Sequence, residues 1–269
     1  MNALDQAVAD MKRGPSAQPE LYRRLSEGEL WTIIPWKPGI EGEEYDFSQE
    51  TELSLVALPH KDGKVVAVYS SEERLTEGLT RGKAPPEAYA ALAVPAKVLL
   101  EAISRAGLDA AVNYYCGTTG QVVVPPDILR ELADGSALAP KKVTGRRPKI
   151  QEMLKVVSPA GYPTAMIQPL FELFKQHRNF RAAWIFEVPK AASVTEGGRL
   201  YRVLVLMDPK DDAIYHDMEI VLSAVPKEGN VISGGLLNEK DRRGIEQMFR
   251  LAQPFFVAAD YERPGGETK

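Results

Sequence analysis

One cysteine, Cys116, stands in a chain of 269 residues. No disulfide can form within the chain, and no cysteine cluster can hold zinc. Histidine is scarce as well: His60, His177 and His216 are the whole supply, and none lies in a recognisable catalytic or metal-binding motif. No apolar run approaches the roughly 18 residues that a membrane helix needs. Excess positive charge is missing too, with a formal net charge of −4. That balance argues against a dedicated nucleic-acid binder, which is usually basic overall or along one face. The opening Met1–Gln6 has no basic head followed by an apolar core, so no secretory signal is expected there. The expectation is a soluble, cytoplasmic protein with neither membrane insertion nor a nucleic-acid partner.

What is present suits folded domains. At 44% hydrophobic and 26% charged residues the composition is that of a globular protein. A chain of this size buries roughly 75% of its unfolded surface, enough to fold without a metal or disulfide staple. Apolar spacing predicts helices over 3–11 and from Pro19 to Leu25, the second closed by Gly28. Strands are expected over Leu30–Trp36, Leu53–Leu58 and Val65–Tyr69, with an acidic loop at 37–50 and a hairpin turn at Asp62-Gly63. Ser70 with Glu73 reads as a capping box that opens a helix carrying Leu75 and Leu79. A strand at Tyr89–Val94 then leads through Pro95 into a helix burying Val98, Leu99, Ala102 and Ile103. A hairpin from Ala110–Cys116 through Gly117–Gly120 to Val122–Val124, and a helix over Asp127–Ala133, complete the first half.

Residues 136–152 change character. Lys141, Lys142, Arg146, Arg147 and Lys149 crowd into a stretch with little periodicity, which reads as a charged linker; without interleaved aromatics it lacks a base-stacking signature. Beyond it, a helix over Leu170–Gln176 precedes two strongly apolar runs, Arg181–Val188 and Leu200–Met207. An amphipathic helix over Asp211–Val225, a strand at Val231–Leu237 and a helix at Asp241–Ala252 follow. The order predicts an α+β protein of two domains, each a small mixed or antiparallel sheet packed with helices. The expected boundaries are 1–145 and 161–269, joined by a linker at 146–160.

The chemical candidates are few. Cys116, in Cys116-Gly-Thr-Thr-Gly120, would need a base or cationic field to act as a nucleophile. The competing reading, a strand end entering a turn, is favoured. Asp212, His216 and Glu219 stand at i, i+4 and i+7 and could ligate a divalent metal. The apolar set Ile214, Met218, Val221 and Leu222 lies on the opposite side, so a solvated face is favoured and no metal or cofactor is expected. No paired-carboxylate arrangement, nucleophile elbow, zinc helix or dinucleotide fingerprint appears, so no catalytic residue is assigned. Of the tryptophans, Trp184 reads as core, while Trp36, beside Pro35 and leading into the acidic loop, reads as an interface anchor.

Four segments in order carry a resemblance. They are Tyr22-Arg-Arg-Leu-Ser-Glu-Gly-Glu-Leu-Trp31, Val66-Ala-Val-Tyr-Ser-Ser-Glu-Glu-Arg-Leu75, Gly120-Gln-Val-Val-Val-Pro-Pro-Asp-Ile-Leu129, and Phe174–Ile185 with Leu251-Ala-Gln-Pro-Phe-Phe256. Together they resemble the SseB family, the enhanced serine sensitivity proteins of bacteria, over about Tyr22 to Arg263. The resemblance implies a two-domain protein linked to serine tolerance and carries over no catalytic residues. The expected function is a non-catalytic interaction or regulatory protein with a protein partner. The alternative is a sensor of an amino acid or keto acid, bound in the cleft between domains.

Overall fold

The computed structural model describes residues 1–36, 53–61, 63–83, 85, 88–117, 119–139, 155–157, 161–188, 199–225, 231–237 and 242–261. The acidic loop 37–50, Asp62 and the basic residues Lys141–Lys149 lie outside them. The chain divides into two compact units, Met1–Ala139 and Pro140–Lys269. Each is a sheet packed with helices, and the fold class is α+β with two domains.

The first unit runs α1 (Ala3–Asp10), α2 (Gln18–Ser26), β1 (Glu29–Pro35), β2 (Ala57–His60), β3 (Gly63–Tyr69), α3 (Glu72–Gly82), β4 (Tyr89–Pro95), α4 (Ala96–Arg105), β5 (Asp109–Val112), β6 (Val122–Val124) and α5 (Pro126–Ala133). Its strands order as β4-β1-β3-β5-β6, with β2 also on β3. Among the described strands of this unit only β3 and β5 pair in parallel, and their C-terminal ends meet at Val68 and Val112. The sheet is covered on both sides. Ile33, Val65, Ala67 and Tyr69 pack with Leu75 of α3. The alternate residues Leu30, Ile34, Val66, Val68 and Val112 are equally buried, on the side where α4 and α5 contact the strands.

Four sequence expectations change here. β2 lies at Ala57–His60 rather than Leu53–Leu58. The cap of α3 is Ser71, whose Oγ accepts from the Arg74 N–H at 3.3 Å, because Ser70 is engaged elsewhere. The buried stripe of α4 runs through Ala96, Leu99, Leu100 and Ile103, with Val98 and Ala102 at its margin. Finally, β5 stops at Val112, because Asn113 adopts φ 53°, a left-handed conformation that Asn tolerates better than most residues. The stretch to Cys116 is therefore a loop.

The second unit runs β7 (Lys155–Val156), α6 (Thr164–Gln176), β8 (Phe180–Val188), β9 (Leu200–Met207), α7 (Asp212–Ala224), β10 (Val231–Leu237), α8 (Arg242–Leu251) and β11 (Phe256–Val257). The order is β10-β9-β8-β11, with β7 on β8. β8 and β9, on the two apolar runs, pair antiparallel. α7 is the crossover that returns the chain parallel to β9 as β10. Helix α6 begins six residues before the expected Leu170, with Pro169 inside it, because Met166 and Ile167 extend the stripe buried with Leu170, Leu173 and Phe174. On the other sheet face α8 covers Trp184, whose ring meets Phe249 edge-on at 4.9 Å between centroids. Gly234 admits α7 closely: a Cβ there would come within 2.7 Å of Met218 Cε.

A second close approach occurs at Gly78 of α3, where a Cβ would sit 2.5 Å from both the Tyr69 ring and the Tyr114 carbonyl oxygen. At an ordinary helix-interior site alanine is favoured over glycine by roughly 1 kcal/mol. At Gly78→Ala the sign should reverse, with a loss of about 1–3 kcal/mol from overpacking. Urea unfolding measures this, and a raised midpoint would show that α3 is free to shift away.

Candidate functional site

Beyond the C-terminal ends of parallel strands is where an α/β arrangement gathers its loops. In the first unit that position, past Tyr69 and Val112, holds a network of polar side chains drawn from three separate stretches of chain. Asn2 starts it: its side chain caps α1 by accepting from the Asp5 N–H at 2.8 Å, and its Nδ2 donates to the Ser70 carbonyl at 2.9 Å. This ties α1 to the β3–α3 junction and directs Asp5 inward, where the residue is only 2% exposed.

The Asp5 carboxylate accepts from the Ser70 hydroxyl, from Arg74 Nε at 2.9 Å and from Asn113 Nδ2 at 3.0 Å. Burial opposes its charge, but the donors Ser70, Arg74 and Asn113 outweigh burial and hold the carboxyl below its ordinary range. Asn113 also accepts from the Ser70 N–H at 3.1 Å, so one side chain closes both the strand end and the helix start.

From Arg74 the network continues outward. Its Nη1 donates to Glu77 Oε2 at 2.6 Å. Glu77 Oε1 accepts from the Gly117 N–H at 3.1 Å and pairs with Arg81 Nε at 3.4 Å. Arg74, Glu77 and Arg81, at i, i+3 and i+7, form one line along α3. The Arg81 guanidinium, the exposed end of a flexible side chain, lies where a Cβ on Gly117 would go.

Cys116 lies within this network. Its thiol is buried and donates to the Arg74 carbonyl at 3.2 Å. Burial pushes its pKa up to about 12, with the Glu77 carboxylate adding to the effect against Arg74 and Arg81. A thiol in that state supplies almost no thiolate at neutral pH. The arrangement orders a loop and a helix start; it does not generate a nucleophile.

The other candidates separate. Trp184 is fully buried, with its indole N–H donating to the Ala252 carbonyl at 3.2 Å. Trp36 is 43% exposed at the end of β1, where its backbone N–H donates to the Ala88 carbonyl at 3.1 Å. The trio on α7 does not converge and does not all face water. Asp212 pairs with Lys210 at 2.6 Å, while His216 is only 4% exposed and lies 3.4 Å from Glu219. Asp217 and Ile220 are buried beside it, so α7 is covered over a wider arc than its main apolar stripe suggests. Among the described residues no group of three or more His, Cys, Asp and Glu side chains could hold a metal ion, and no helix is long and apolar enough to cross a membrane.

Sequence reasoning missed Asp5, Asn113, Arg74, Glu77 and Arg81. The one available signal was the Arg-Glu-Arg line on α3. Asp5 lies in the first turn of α1, where an acidic residue is commonplace and carries no signal of its own.

Compared with known families, residues 3–131 match the SseB protein N-terminal domain and residues 149–257 match the SseB protein C-terminal domain. No curated protein and no solved structure matches the chain.

Two outcomes follow from the network. The folded pKa of Asp5 lies below its unfolded value, so the carboxylate stabilises the fold fully above roughly pH 4. That contribution is lost as pH falls through the folded pKa, because the unfolded state binds the proton first. Asp5→Ala should lose about 3–5 kcal/mol near neutral pH by stranding the Arg74 charge, and its unfolding should be less steep in acid. Denaturant melts at pH 3 to 7 measure both, and parallel pH curves for the two proteins would count against the network. The Cys116 thiol should react with an aromatic disulfide reagent at pH 8 at least tenfold more slowly in the native protein than in urea. Equal rates would show an open thiol.

Proposed function

Because the chain belongs to the SseB family, whose N-terminal and C-terminal domains it carries in order, we propose that it is a non-catalytic interaction or regulatory protein. In this reading it works in the bacterial cytoplasm, in the serine-tolerance role that the family name denotes, by holding a protein partner. The observation that carries the reading is Trp36. A side chain of this size buries on the order of 150–250 Å² when covered. Here it projects at a strand end with its backbone already anchored to Ala88, so little ordering remains to be done on binding. Tryptophan is among the residues most enriched at the energetic centres of interfaces. The protonated, buried Cys116 supports the non-catalytic part of the reading.

Cross-linked capture with tagged protein from the native host, followed by mass spectrometry, identifies the partner. Trp36→Ala should weaken its binding at least tenfold, equivalent to about 1.4 kcal/mol, with the circular dichroism and melting temperature of the free protein unchanged. Undiminished capture removes Trp36 from the interface. An empty capture with wild type overturns the partner reading and directs the test to amino acids and keto acids by thermal shift.

A further inference from the structure

In the second unit, Arg202 of β9 lies directly opposite Ser233 of β10 on one side and Phe186 of β8 on the other. By strand alternation it shares a sheet face with Leu204 and Leu206, which pack in the cluster beneath α8. Arg202 lies two residues before Leu204 along that face. There Arg202 Nε and Ser233 Oγ are both buried, and neither has a hydrogen-bond partner among the described residues.

That pairing is unusual on energetic grounds. A buried polar group left without a partner destabilises a fold more than a typical hydrogen bond stabilises it, and a charged donor is worse than a neutral one. Most such groups are satisfied in native proteins, and each exception calls for an explanation. Two exceptions occur here at facing register positions on neighbouring strands, roughly 4.8 Å apart by ordinary sheet spacing. One occupant can therefore satisfy both. Arginine only donates, and the serine hydroxyl can donate too, so the occupant must accept twice. The guanidinium charge selects an anion, and a carboxylate offers two oxygens, one for each of the two unmet donors.

The surroundings favour a small organic body over a bare inorganic ion. Phe186 is buried beside Arg202 on β8. Leu204 leans towards β10, so that a Cβ on Gly235 would come within 2.8 Å of Leu204 Cδ2. Both flanks of the donor pair are apolar.

We propose that Arg202 and Ser233 bind the carboxylate of a small organic acid, Arg202 Nε donating to one oxygen and Ser233 Oγ to the other. The site is independent of Trp36 and of any protein partner. The test uses the full chain, with sodium propionate and sodium pyruvate as probes against sodium phosphate and sodium chloride at matched ionic strength. Thermal shift and the arginine Nε–Hε resonances in ¹H–¹⁵N spectra are the readouts. A saturable rise in Tm with a carboxylate, with one arginine Nε resonance moving in parallel, is expected. Arg202→Gln should abolish both responses, and Ser233→Ala should raise the half-saturating concentration at least tenfold. Should Arg202→Gln not fold, the wild-type spectra and the Ser233→Ala titration still decide. Equal responses in wild type and variants, no carboxylate response, or a response to phosphate alone would each overturn the assignment.

Discussion

The carboxylate of Asp5 remains charged inside the first unit only because donors from three places in the chain reach it: Ser70 at the end of β3, Arg74 in the first turn of α3, and Asn113 past the end of β5. A buried carboxylate and guanidinium repay their lost hydration only when the geometry is good and the remaining donors and acceptors are also met. Here Arg74 continues to Glu77, and Glu77 to the Gly117 amide and to Arg81. The left-handed turn at Asn113 and the displacement of the helix cap from Ser70 to Ser71 are both parts of that one solution.

The second unit is organised by packing instead. β8 and β9 are covered on both faces, by α6 and α7 on one and α8 on the other. That accounts for their nearly continuous apolar sequences. Phe174 meets Phe180 at 4.3 Å between ring centroids, and Trp184 spends its single polar atom on the Ala252 carbonyl. Against this apolar background the unmet donors of Arg202 and Ser233 stand out.

Most of this architecture was legible because it rests on local periodicity. The main stripe of α7, the apolar runs of β8 and β9 and the core position of Trp184 follow from apolar spacing alone, and so does the α+β class. What was not legible depends on distant partners. Ser70 followed by Glu73 satisfies the capping-box pattern, but Ser70 gives its hydroxyl to a residue 65 positions away, and Ser71 takes over the cap. Nothing near Asn113 announces its positive φ, so β5 looked longer than it is. His216 looked solvated because a helical wheel shows one apolar stripe and cannot reveal that its flank is covered too. Arg202 poses a related problem in a strand, a charge on the face that Leu204 and Leu206 bury beneath a second packed layer.

The span of the Asp5 contacts sets an order of events during synthesis. Asp5 is made 69 residues ahead of Arg74 and 108 ahead of Asn113. At about 5–20 residues per second the later gap corresponds to roughly 5–20 s. Through that interval α1, eight residues long, is too short to hold itself together in water. Its carboxylate stays hydrated, with no interior to enter. On the ribosome the first unit therefore closes late and as a whole, when the loop after β5 emerges to meet a helix made 108 residues earlier.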